Sequence, residues 1–131
     1  MIELDRFIKA QKKSFGTAKY ELLNKKKESH WMWFMFPQLK GLGMSWMSNY
    51  YGIESLDDAS EYFENTYLKQ NLIELTNIIA NYGNVNIEDV FGNTDAKKLC
   101  SCMTLFLLAT NEECFRKVIF KYFIHINPLI C

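Results

Sequence analysis

Apolar residues recur along this chain at the spacing of one helical face after another. Leu4, Phe7 and Ile8, with the polar Gln11, share a side of a first short helix. Thr17 is placed to cap a second, which runs to the lysines at 25–27 with Leu22 and Leu23 inward. Ser55 with Asp58 three residues on has the form of a capping box and opens a helix carrying Leu56, Ala59, Tyr62 and Phe63. Thr66 can cap the next, whose stripe Leu68, Leu72, Leu75, Ile79 and Tyr82 ends at Gly83. Asn86 to Phe91 makes a turn or two closed by Gly92, and Asp95 begins a helix with Leu99, Cys102, Met103, Phe106 and Leu107 inward. Asn111 starts the last, with Phe115, Val118, Ile119, Tyr122 and Phe123 on its core side. The expectation is one all-α domain over residues 1–131, a compact bundle of six to eight helices.

The stretch from Ser29 to Ser45 resists this assignment, because nearly every position is apolar and both helical and alternating periods fit. Pro37 disfavours helix at Phe36, and Gly41 and Gly43 supply a turn. Within it His30 and Gln38 flank an aromatic run holding Trp31, Trp33 and Phe36. Aromatic faces with a few convergent polar groups build pockets for flat, polar small molecules. An aromatic core segment, its histidine and glutamine satisfying buried backbone, accounts for the same residues. A second anomaly is the strip Lys98, Ser101 and Thr104, spaced by three on an otherwise apolar helix. It is either a wall of donors or a solvent edge whose hydroxyls bond back to the preceding turn.

Composition narrows the function classes. Of 131 residues, 49% are hydrophobic and 15% aromatic, which excludes disorder, and the formal net charge is zero, which removes a broad basic footprint for DNA or RNA. The lysine run remains, with Lys27 a candidate phosphate contact beside the bland reading of a solvated helix end. The N-terminus lacks signal-peptide character and no segment has the length of a membrane span, so a cytoplasmic protein without membrane contact is expected. Cys100, Cys102, Cys114 and Cys131 do not have zinc-site spacing, and four reduced cysteines with no metal and no cofactor are the expectation. Thirteen lysines against two arginines, with abundant asparagine and isoleucine, reflect an AT-rich genome such as that of a phage, another virus or a low-GC bacterium.

The run H-W-M-W-F-M-F-P-Q-L-K-G-L-G-M-S, then V-F-G-N-T-D-A-K-K-L-C-S-C-M-T-L-F, together with R-F-I-K-A-Q near the start, resembles an uncharacterised family known as domain of unknown function 1810. Its members are often mislabelled calpastatin. The resemblance covers about Leu4 to Phe123 and implies a small, mostly helical domain but no established activity. Its characteristic positions fall on Gln11, Lys27, Ser29, His30, Trp31, Trp33, Phe36, Pro37, Gln38, Gly41, Gly43, Lys98, Ser101, Met103 and Thr104. The chain departs where the family usually shows H-P-x-L-G-x-R-L. Here N-T-Y-L-K-Q-N-L puts Asn65 and Asn71 in place of histidine and arginine.

These residues set up a binding protein for a nucleotide or ADP-ribose-type ligand. Trp31 or Trp33 would stack on a base, Gln38 would read its edge, Lys27 and Lys98 would neutralise phosphate, and Ser101 and Thr104 would donate hydrogen bonds, with His30 and Phe36 completing the lining. In a viral setting this reads as sequestration of a nucleotide signal. The alternative is an enzyme on a nucleotide-derived substrate with His30 as general acid or base, which lacks an evident partner set. A third is an interaction module using the apolar run from Ile124 to Cys131, as monomer or homodimer.

Overall fold

The computed structural model describes residues 2–43 and 45–124. Among them are seven helices, α1 (Asp5–Leu23), α2 (Met32–Met35), α3 (Trp46–Tyr50), α4 (Leu56–Glu64), α5 (Thr66–Ala80), α6 (Ile87–Thr110) and α7 (Glu113–Tyr122). The all-α expectation holds. α6 lies between α4 and α7, and α5 packs on α1, α4 and α7, with α2 against α1. Tyr62, Leu72, Leu75, Leu99, Met103, Phe106 and Phe115 fill the space between them. No described helix is long and apolar enough to cross a membrane.

Local chemistry sets the helix ends. Ser55 accepts from the Asp58 amide at 3.1 Å, as its sequence position predicts. One residue earlier than expected, Asn65 caps α5 by accepting from the Leu68 amide at 3.0 Å, leaving Thr66 as its first helical residue. Asn111 does not start α7. Its left-handed φ of 58° ends α6, and Glu112 precedes α7 instead. The break foreseen after Phe91 is real: Gly92, at φ 80° and ψ 165°, kinks α6, a conformation that suits glycine.

Two expectations about α1 are corrected. It runs unbroken through Gly16 and Thr17, because Phe7, Gln11, Ala18 and Leu22 lie on one buried face, and that packing outweighs the ~1 kcal/mol cost of an interior glycine. Leu23 faces outward rather than into the core. Leu56 is likewise exposed, since it stands at the first turn of α4. Cys100 is disulfide-bonded, against the expectation of four reduced cysteines, while Cys102 and Cys114 carry free thiols. Burial raises the Cys102 thiol far above its ordinary range, the behaviour of a packed side chain. The run proposed as an interaction tail lies outside the described residues beyond Ile124.

Candidate functional site

The aromatic segment is tied to α1 by one carboxylate. Glu21, buried on the last turn of α1, accepts from the amides of Glu28 and Ser29 at 2.8 and 3.0 Å, from the Ser29 hydroxyl at 2.5 Å and from the Trp31 indole N–H at 2.9 Å. Burial works to raise its pKa. The hydrogen bonds, led by the Ser29 hydroxyl, outweigh that and hold it at about 2, below the ordinary 4.5. The chain reaches this position by a Schellman turn. The Lys25 amide donates to Leu22 at 3.1 Å and the Lys26 amide to Glu21 at 3.0 Å, with Lys25 at φ 59°.

Next to this staple a second carboxylate links the two segments singled out in the sequence. Asp95 lies in the first turn beyond the Gly92 kink. Its Oδ2 pairs with Lys27 Nζ at 2.8 Å and its Oδ1 with Lys98 Nζ at 3.2 Å. The Lys27 amine also donates to the Ser29 carbonyl at 2.7 Å and stands 4.9 Å from the Trp31 ring centre, so its directions are filled. Its side chain is 7% exposed. Lys98 differs: 21% exposed, it has Asp95 as its one charged partner among the described residues and rests 4.0 Å from the Trp33 ring centre.

Trp33 is half-buried, and its far edge is enclosed by the loop that follows. A Cβ on Gly43 would come within 3.0 Å of Trp33 Cη2 and 2.9 Å of Ser48 Cβ, so this close approach requires glycine. The loop is pinned at its base by a parallel bridge between Leu39 and Ile53, through Ile53 N–H to Gln38 O at 2.9 Å and Lys40 N–H to Ile53 O at 2.8 Å. Gln38 is 5% exposed, and its side-chain amide, which bonds to none of the described residues, keeps contact with solvent.

The sequence-selected residues therefore separate. Lys27, Trp33 and Lys98 meet around Asp95, with Ser101 one turn beyond Lys98 and half-buried. Trp31 and Phe36 were expected to line a ligand pocket, but both are buried. They pack on each other and on Phe91 at ring separations of 6.0–6.3 Å, which leaves no open face for a base. The Thr104 hydroxyl donates to the Cys100 carbonyl at 2.8 Å, so its proton is committed within the helix. His30 is exposed, and neither it nor Gln38 makes a hydrogen bond, ion pair or ring contact to Lys98 among the described residues.

Gln11 and Asn71 belong to a different, neutral network. Gln11 Nε2 donates to the Phe34 carbonyl at 2.8 Å and to the Tyr62 hydroxyl at 2.9 Å, and Asn71 donates to Gln11 Oε1 at 3.0 Å. Asn71 is thus a satisfied buried amide on α5, with no contact to the lysine pair. The residues that sequence reasoning missed are Glu21 and Asp95. Asp95 had a signal, its position one helical turn before Lys98. Glu21 had none beyond an acid on a helix face that buries Ala18 and Leu22.

No group of histidine, cysteine, aspartate and glutamate among the described residues is arranged to hold a metal. A crystal structure described as the conserved hypothetical protein Rv1873 from Mycobacterium tuberculosis is 41% identical to this chain with a TM-score of 0.90, covering 92% of this chain and 86% of the other. No curated protein matches. Residues 1–126 match the model of the family described as protein of unknown function (DUF1810), and the chain belongs to that family.

Proposed function

We propose that this protein binds a small, flat, anionic metabolite of nucleotide or ADP-ribose type where Lys98 meets the Trp33 ring, with Ser101 one helical turn on, and that it holds the ligand without consuming it. The observation that carries this reading is the Lys98 ammonium, 4.0 Å from the half-buried Trp33 ring and matched by one carboxylate oxygen. An ammonium with donor directions to spare beside an aromatic surface, with a hydroxyl one helical turn along, offers the three kinds of group a nucleotide uses. Stacking on an aromatic side chain is worth ~1–3 kcal/mol per base. Lys98 supplies charge for phosphate, and Ser101 a hydrogen bond.

Against turnover, His30 is exposed and has no partner among the described residues to orient its ring or fix its tautomer. Stoichiometric sequestration of a nucleotide signal in the cytoplasm, as a viral or phage anti-defence factor would perform it, suits a small domain built this way.

The test is to incubate the pure protein with a panel of nucleotides and ADP-ribose, separate the complex, heat it and analyse what is released. Intact ligand at one equivalent is the expected result. Product formed in excess of protein would replace this reading with the enzyme.

A further inference from the structure

A groove of about 850 Å³ runs along the outer side of α5, with neither Asp95 nor its two lysines in its lining, and is floored by Leu23, Ile73, Ile78 and Tyr82. Leu23 is 56% exposed, and Tyr20, one turn back on the same side of α1, is 69% exposed. Large apolar side chains held in the open beside a concave surface mark an interaction site more than a solvated face. The groove is open along its length, so it cannot enclose a small molecule as ligand pockets do. From Lys69 to Asn81 it follows three turns of α5, about 18 Å at the helical rise.

Its charge is one-sided. Lys25 and Lys69 both line it. The one acid in the lining, Glu74, is already paired with Lys19 at 2.7 Å. No carboxylate among the described residues pairs with Lys25 or Lys69. Lys25 also occupies the left-handed position of the Schellman turn at φ 59°, where glycine is unstrained. A lysine kept at a strained position points to use of its side chain.

We infer that this groove docks an acidic amphipathic helix of a partner protein, with apolar side chains on Leu23, Ile73 and Ile78 and carboxylates on Lys25 and Lys69. Recognition of this kind reads apolar anchors at helical spacing, with the flanking charges setting partner and orientation. The inference is independent of the nucleotide reading, since it shares no residue with Trp33, Lys98 or Ser101.

The experiment uses two labelled, end-capped amphipathic helical peptides with the same leucine face, one flanked by glutamates and the other by lysines. Binding is read by fluorescence anisotropy and mapped by amide shifts. The acidic peptide should bind and shift the amides of Leu23, Ile73 and Ile78. Its affinity should fall about tenfold in the Lys25→Glu/Lys69→Glu variant, two exposed changes whose effect on the fold circular dichroism checks. Absent binding, equal binding of the basic peptide, or shifts confined to another face would each overturn the inference.

Discussion

Lys27 and Lys98 share one carboxylate and yet belong to different regions of the molecule. On the inner side, Lys27 has Asp95, the Ser29 carbonyl and the Trp31 ring around its amine, and Glu21 closes the same segment from behind. On the outer side, Lys98 has the other oxygen of Asp95 and the Trp33 ring, and nothing further among the described residues. Charge of the same sign does two jobs, set by how many donor directions the fold has already filled. Stability should depend on the inner group and ligand affinity on the outer one.

The largest loss of stability is expected from Asp95→Ala. It leaves the Lys27 ammonium buried without a counter-charge, and an uncompensated buried partner costs about 3 kcal/mol. Chemical denaturation should show a loss of that order. A loss below 1 kcal/mol would place Lys27 on the solvated surface instead.

Next in size is Glu21→Gln, at about 2 kcal/mol, because an amide cannot accept from all the donors that the carboxylate serves. This substitution also has a pH signature. The folded pKa of about 2 lies below the ordinary 4.5, so the stabilisation is complete above pH 4.5 and is lost as pH falls toward 2. Melting temperatures of the wild type should drop through that window, and the Gln variant should lack this part of the fall. Parallel curves for the two proteins would remove Glu21 from the account.

How far the sequence showed these two regions follows from the physics of each. Helical periodicity located the bundle because apolar spacing is local information, and Ser55 and Gly92 were readable as boundaries. Gly16 and Thr17 misled, since a buried face continuing through Ala18 and Leu22 overrides weak local preferences. At the site, composition could flag Lys27, Trp31, Trp33 and Lys98 but could not rank them. Burial separates Trp31 from Trp33, and it depends on Phe91, far away in the chain, and on the Glu21 carboxylate of the preceding helix. The groove on α5 was hidden for a related reason: Leu23 reads as a core position beside Leu22, but it lies on the outward side of α1 with Tyr20.

The smallest stability effect lies outside both regions, at the turn that ends α1. Lys25→Gly relieves a left-handed lysine and should stabilise the fold by about 1 kcal/mol, while weakening the acidic peptide in the α5 groove. A destabilised Gly variant would show that the turn is not strained.

The most direct test is titration of ADP-ribose into the wild type and into Lys98→Ala by calorimetry, with the ligand recovered and checked afterwards. Losing Lys98 leaves Asp95 paired with Lys27, so stability should change by less than about 1 kcal/mol. One-site binding by the wild type, intact ligand, and an affinity lower by about 1.5–3 kcal/mol in the variant, the range for hydrogen bonds to charged groups, are the expected results. Equal affinity in the two proteins, or no binding of ADP-ribose or of any nucleotide in the panel, would contradict them.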